Sequence, residues 1–459
     1  MLPTIIAHPS SFRDPSGFIF EKEGTIYRQV NVLFREHFDY FTNSGCYNHL
    51  VKNGLLIPHE QINQNLTGET TCYITLKPER IPFISYPYEW SFDMLKDAAL
   101  LTLRLMKEAL HFGMVLKDAT PYNIQWYKGR LLFIDTLSFE KYEEVPWIAY
   151  RQFCESFLGP LLIMHYTKIP LQQLQMAWPD GIPLVVIKSL LPKRSRFSFY
   201  TYLHIYLHQK IAAQGHGRYK DIQKFSKQKL VSLISSLELL VNKLILNAKR
   251  STWSDYYDEV SLRNSYLEEK KNIINRWLNR LETINTAADL GSNKGEFSRL
   301  LAAKGIHTIA TDYDPYCIND LYTSIKVSHE KNIQPVIVDL ANPSPSIGFN
   351  NAERSSFYNR LDADLVLALA LIHHLAISKN IPLENIARIF HQTSRYLIIE
   401  FVPKEDVKIK LMLQQKKDIY SSYTEENFIA SFSNFFSIEE KQIIPDSLRR
   451  LYLMKKIEA

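Results

Sequence analysis

Three groups of residues in this 459-residue sequence have types and spacings suited to chemistry. The first is Asp289-Leu290-Gly291-Ser292-Asn293-Lys294-Gly295, in which an apolar strand runs into a turn poor in side chains. Gly291 and Gly295 allow a backbone to come close to a ligand that a Cβ would hold away, and a helix N-terminus with unpaired N–H groups follows. Asp312 closes the next apolar strand, where a carboxylate can accept both hydroxyls of a ribose, and Asp339 closes the third, within reach of the edge of an adenine. The turn lacks the Gly-Lys-Ser/Thr of a phosphate loop, and Asn293 stands where a dinucleotide fingerprint has its middle glycine. The second group is Asp118, Asn123 and Asp135. A hairpin of Ile124–Tyr127 and Leu131–Ile134 around Lys128-Gly129 puts Asn123 and Asp135 at one end of paired strands, where Mg²⁺ could bridge them and Asp118 could take a hydroxyl proton. The third is His373 and His374, after a fourth apolar strand, with Glu400 at the end of a fifth. Each is a candidate general base, and a packing role for the histidines is an equally open reading.

These residues need elements to position them. Residues 16–30 alternate as two strands around Glu23-Gly24, and Cys72–Leu76 is a third strand. The stretch 91–113 is an amphipathic helix stopped by Gly113. From about 147 to 250 the pattern is helical. There Leu230, Leu233, Leu237, Leu240 and Leu244 fit either a core helix or a short coiled-coil seam. Residues 249–260 break the helical pattern and read as a linker. Past residue 284, strands (286–290, 307–312, 335–340, 364–371, 395–402) alternate with helices, which argues for a parallel sheet covered on both faces. A last helix and a hairpin (436–444 and 449–457) complete it.

Such a sheet binds its ligand at the carboxyl ends of the central strands, where the strand order reverses. D-L-G-x-x-x-G, the acidic end of strand two, Asp339-Leu340 after strand three and "DLVLALALIHHL" on strand four together resemble class I S-adenosylmethionine-dependent methyltransferases. The resemblance covers about residues 260–459. It implies a doubly wound, Rossmann-like α/β sheet of seven strands, with Asp289, Gly291, Asn293 and Gly295 around the methionine part of S-adenosylmethionine, Asp312 on the ribose, and Asp339 with Leu340 at the adenine. Asn293 departs from a glycine common there, and asparagine tolerates left-handed backbone. Ala368-Leu369-Ala370-Leu371 replaces the Asn/Asp-Pro-Pro-aromatic motif of base-amino methyltransferases, which lowers adenine and cytosine as acceptors.

The D-x-x-x-x-N…D spacing behind a long helix resembles protein kinases and aminoglycoside-type phosphotransferases. It implies an α+β domain with a mainly helical second lobe, Asp118 as base, and Asn123 and Asp135 as Mg²⁺ ligands for Mg-ATP. Leu116 stands where kinases often have histidine, Asp135-Thr136-Leu137 replaces Asp-Phe-Gly, residues 16–30 contain no G-x-G-x-x-G, and the basic residue on that strand is Arg28. The expected organisation is a small lobe over 1–90, a helical lobe over 91–250, a linker and leading helix over 251–283, and the methyltransferase domain over 284–459. The two resemblances imply methyl transfer to a small-molecule or glycan-type acceptor. The alternatives are a bifunctional kinase-methyltransferase modifying a polysaccharide or lipid-linked glycan, and a ligand-binding pseudoenzyme.

Composition narrows the classes further. The formal charge is +6, and basic clusters such as Pro192–Arg196 and Ser447–Arg450 read as solvated surface. With no aromatic-basic stripe recognised, nucleic acid is not the expected partner. Four scattered cysteines without C-x-x-C spacing argue against zinc and disulfides. No run nears the ~20 apolar residues of a membrane span, and the N-terminus lacks a signal-peptide pattern, so the expected location is cytoplasmic.

Overall fold

The computed structural model describes residues 5–214, 225–246, 264–414 and 418–458. The expected linker at 249–260 lies outside the described residues. The chain forms two compact units: Met1–Asn247 with Ser346–Arg354, and Ala248–Pro345 with Ser355–Ala459. The segment 346–354, inside the stretch expected to be methyltransferase, therefore groups with the first unit.

In the first unit, β1 (Ile6–Ala7), β2 (Gly17–Lys22), β3 (Thr25–Asn31), β4 (His59–Ile62) and β5 (Cys72–Pro78) form an antiparallel sheet in the order β1-β2-β3-β5-β4. Lys22 pairs with Thr25 across a two-residue turn in which Glu23 (φ 51°) and Gly24 (φ 73°) are both left-handed. That turn matches the strand twist. The helix Phe92–His111 is capped by Ser91, whose hydroxyl accepts the Met94 N–H, and it buries Leu95, Ala99, Leu103, Met106 and Leu110. Two small ladders follow it: β6 (Met114–Leu116) with β9 (Phe139–Lys141), and β7 (Ile124–Tyr127) with β8 (Arg130–Phe133). The Lys227–Lys243 helix packs on Phe92–His111. Leu230, Leu237, Leu240 and Leu244 are buried with Ile234 and Val241 in the same unit, so the leucine pattern belongs to a core helix.

The second unit is built on a seven-stranded sheet of β10 (Thr286–Leu290), β11 (His307–Asp312), β12 (Ile333–Ile337), β13 (Ala363–Ala368), β14 (Ser394–Phe401), β15 (Phe436–Ile443) and β16 (Arg450–Lys456). Its order is β12-β11-β10-β13-β14-β16-β15. β10 to β14 are mutually parallel and β16 runs against both its neighbours. The order reverses between β10 and β13, the place where such sheets bind ligands. Leu365, Val366, Leu367 and Ala368 are all fully buried, which is why β13 reads as an unbroken apolar run. The helix Asn264–Leu278 lays Ile273, Ile274 and Trp277 against Ala287, Leu365 and Leu367.

Two strand boundaries differ from expectation. β12 covers 333–337 in place of 335–340; Pro335 sits within it because an edge strand tolerates a residue without an N–H. β13 ends at Ala368 because Ala370 turns left-handed, with φ 49°. Among the described residues no helix is long and apolar enough to cross a membrane.

Candidate functional site

β10 carries Asp289 to its carboxyl end, buried, with one carboxylate oxygen accepting the Ser298 hydroxyl at 2.6 Å. Burial pushes its carboxyl up to about 6, against the opposing pull of the Ser298 hydrogen bond and of Lys270. The chain then turns through Gly291 (φ 81°), Asn293 (φ 50°) and Gly295 (φ 82°). Gly291 and Ser292 donate their N–H groups to the Thr311 carbonyl, tying the turn to β11. Asn293 is left-handed, as its side chain permits. A Cβ on Gly295 would come within 2.7 Å of Leu321, so close packing, together with its positive φ, accounts for this glycine. At Gly291 a Cβ would meet only Leu371, at 3.5 Å, and the left-handed backbone alone favours glycine.

Asp312 ends β11 beside this turn. One carboxylate oxygen accepts the Asn293 N–H and the other the Asp314 N–H, both at 2.9 Å. The Tyr313 backbone faces the carboxylate too, and with about four lone-pair positions it keeps capacity for a hydroxyl. Burial raises this carboxyl to about 6 as well. Ser292 Oγ and Thr311 Oγ1, on either side of the turn, are buried without a hydrogen-bond partner. A polyhydroxylated cofactor fits such a setting of paired carboxylates and unsatisfied hydroxyls.

Asp339 and Leu340 lie beyond β12 and are half-buried. Asp339 accepts the Ala341 N–H at 3.0 Å and pairs with Lys379 at 3.3 Å, while the Leu340 carbonyl accepts the Tyr358 hydroxyl at 2.9 Å.

At the carboxyl ends of β13 and β14 is a buried polar cluster. Glu400 is fully buried; one oxygen accepts the Tyr266 hydroxyl at 2.8 Å and Arg449 Nη1 at 3.3 Å, the other accepts Lys270 and the Ala370 N–H. Arg449 also pairs with Asp406. Burial alone would raise Glu400, but Lys270 and Arg449 hold it down at about 2. A carboxylate so saturated anchors the left-handed turn at Ala370. Sequence reading missed this cluster. Tyr266 and Lys270 are four apart on one helix, which was the available signal. Arg449, taken as solvated surface, is buried.

His373 and His374 follow, their rings 4.1 Å apart. His373 is buried with Nδ1 lacking a hydrogen-bond partner, and burial with the neighbouring cations holds it neutral. Burial and Arg449 lower His374 to about 4.

In the first unit, Asp118, Asn123 and Asp135 do converge. Asn123 Nδ2 donates to Asp118 Oδ2 at 3.1 Å and to Ser138 Oγ at 3.3 Å, and Ser138 donates to Asp135. Arg28, from β3, forms an ion pair with Asp135. Asp135 is buried, yet Arg28 and Ser138 keep its carboxyl below the ordinary range. Asp118 is raised by burial and by Asp135, and its Oδ1 has no hydrogen-bond partner. Asp118, Asn123 and Asp135 offer the oxygen donors that Mg²⁺ takes, with Arg28 already holding Asp135 and the Asn123 amide N–H on Asp118. The β2–β3 turn beside Arg28 is two residues long.

No protein-family model matches the sequence. It is 33% identical over 459 residues to the nodulation protein NoeA of Rhizobium meliloti (strain 1021), covering 98% of this chain and 96% of that one. Among solved structures it is similar to the bifunctional kinase-methyltransferase WbdD, with 16% identity and a TM-score of 0.29 over 43% of this chain and 39% of that one. It is also similar to the N-methyltransferase NodS from Bradyrhizobium japonicum WM9, with 12% identity and a TM-score of 0.32 over 42% of this chain and 98% of that one. A third is magnesium protoporphyrin IX methyltransferase from Synechocystis PCC 6803 with bound SAH, with 14% identity and a TM-score of 0.31 over 46% of this chain and 90% of that one.

Proposed function

The chain belongs to the family of the nodulation protein NoeA, and from that footing we propose that its second unit transfers a methyl group from S-adenosylmethionine to a small-molecule or glycan-type acceptor. One observation carries the proposal: Asp312, at the carboxyl end of β11, is held in place by the backbone N–H groups of Asn293 and Asp314 with acceptor capacity left on the carboxylate, next to the left-handed turn at Gly291. That arrangement suits a ribose. The cofactor, when bound, supplies a methyl already activated on a positive sulfur, so that alignment for in-line attack provides much of the acceleration. Asp289, Gly291, Asn293 and Gly295 would hold its methionine part, and Asp339 with Leu340 its adenine.

The acceptor side would be shaped by the turn from Ala370 to His374, which the Glu400 anchor fixes. His373 or His374, neutral at physiological pH, would receive the proton of a hydroxyl or amine acceptor. Glu400 positions them and takes no proton. For the first unit, the Arg28–Asp135 pair supports a kinase-like architecture that does not transfer phosphate.

Calorimetry with S-adenosylmethionine and with S-adenosylhomocysteine tests the reading. Both should bind wild type, and Asp312→Ala should weaken both. An absence of heat for either ligand, or wild-type affinity in Asp312→Ala, would remove the support.

A further inference from the structure

The first unit carries a surface that the methyl-transfer reading does not use. Residues 181–214 contain Lys188, Lys193, Arg194, Arg196 and Lys210 and not one Asp or Glu. Within ten residues of this stretch lie Phe197, 90% exposed, Phe199, 71%, and Tyr202, 47%. Lys193, Arg194 and Arg196 around them are exposed too. Phe197 closes a 3-10 turn (Lys193–Phe197), and Phe199 opens the next helix, capped by Ser198.

The neighbouring helix Leu184–Leu190 exposes Val185 and Leu190, and its Lys188 reaches Gln209 at 3.0 Å, so the two helices lie side by side. Arg196 packs its guanidinium 5.2 Å from the Tyr206 ring, and Tyr202 stacks on Tyr206. The aromatic and basic side chains are therefore interleaved at one place, an arrangement not recognised from the sequence.

Single exposed apolar residues are ordinary, but two phenylalanines exposed to 90% and 71%, two residues apart in a stretch of chain with three exposed cations and no acidic residue, are not scattered singles. We propose that this surface docks on an anionic lipid bilayer, Phe197 and Phe199 entering the headgroup boundary while Lys193, Arg194 and Arg196 meet the lipid phosphates. Interfacial binding draws on these two terms, buried apolar area and attraction to anionic lipid. A single-stranded nucleic acid is the rival partner for basic and aromatic side chains. It needs a groove that tracks the backbone and rings held as stacking platforms. Rings as exposed as Phe197 and Phe199 suit insertion into a soft layer instead.

Co-flotation of the full chain with vesicles tests this. Wild type should float with phosphatidylcholine vesicles containing a quarter phosphatidylglycerol and stay behind with phosphatidylcholine alone. Raising the salt should weaken the binding. The variant F197S/F199S should bind on the order of tenfold more weakly per ring removed, and R194Q/R196Q about fivefold more weakly per cation. S-adenosylmethionine binding should stay unchanged in both; the melting temperature should hold in F197S/F199S and fall slightly in R194Q/R196Q, which loses the contacts of Arg194 with the Tyr166 carbonyl and of Arg196 with the Tyr206 ring. Wild type that fails to float, or F197S/F199S that floats equally well, would overturn the proposal. So would tight binding of single-stranded RNA lost in the same variants, which would assign the surface to nucleic acid.

Discussion

Asp312 accepts one backbone N–H on each oxygen, and the acceptor capacity that remains defines what it can do. Replacing it with alanine should reduce S-adenosylmethionine affinity by about 1.5–3 kcal/mol for each charged hydrogen bond lost, as calorimetry would read. The pH dependence follows from burial. Asp289 and Asp312 both titrate at about 6 in the fold, so both are ionised at pH 7.5 and gain protons as the pH falls through 6. Protonation removes the charge and turns one oxygen of each into a donor, and cofactor affinity should decline over that range. Stability runs the other way, because an acid raised by burial costs the fold most when ionised, and the cost fades as it protonates. The histidines behave differently. His374 sits at about 4, so the methyl-transfer rate at saturating cofactor should show no limb near ~6.5, the ordinary imidazole value. Rate profiles of wild type and His374→Ala decide this: a limb near that value, present in wild type and lost in the variant, would restore an ordinary titrating base.

The turn after β13 depends on an element that begins far away in sequence. Tyr266 and Lys270 on the leading helix and Arg449 just before β16 converge on Glu400, which in turn holds the Ala370 N–H. Glu400→Ala would leave the buried Lys270 without its carboxylate and Arg449 with Asp406 alone, and should destabilise the second unit by about 3–5 kcal/mol, seen as a lower denaturant midpoint. Because Glu400 is depressed in the fold to about 2, its contribution is present above the ordinary carboxylate range and is lost as the pH falls from there toward 2. Glu400→Ala should accordingly flatten acid unfolding in that window. Patterning made much of both sheets legible: the apolar run of β13 and Asp312 at the end of β11 in the second unit, and β2 and β3 in the first. The ends of β12 and β13 were not legible, because Pro335 at a sheet edge and a left-handed Ala370 are set by tertiary neighbours. Strands as short as β1, β4, β6 and β9 have too few residues for a period. Arg449 was misread because charge says nothing about a partner forty-nine residues away.

Across the whole molecule, the two units are expected to respond to different ligands. Asp118, Asn123 and Asp135 were visible as a spacing, and they do meet. Arg28, 107 positions before Asp135, pairs with it, and no local pattern announces a pairing across that distance. A guanidinium is always charged and presents a planar fork, so it satisfies Asp135 permanently, whereas a metal would have to displace it. Thermal melting should then show stabilisation by S-adenosylmethionine, about 2.7 kcal/mol at a hundredfold excess over Kd, and no shift with Mg-ATP. Arg28→Ala is the discriminating variant. It frees Asp135 beside Asp118 and should create a weak Mg²⁺ or Mn²⁺ response in melting that wild type lacks, while leaving S-adenosylmethionine binding alone. If wild type already shifts with Mg-ATP and Asp118→Asn abolishes phosphate transfer, the ion pair opens in solution and the first unit is a working kinase. If neither wild type nor Arg28→Ala responds, the short β2–β3 turn, with no loop to hold phosphates, is the stronger barrier, and the three polar residues serve the fold of that unit.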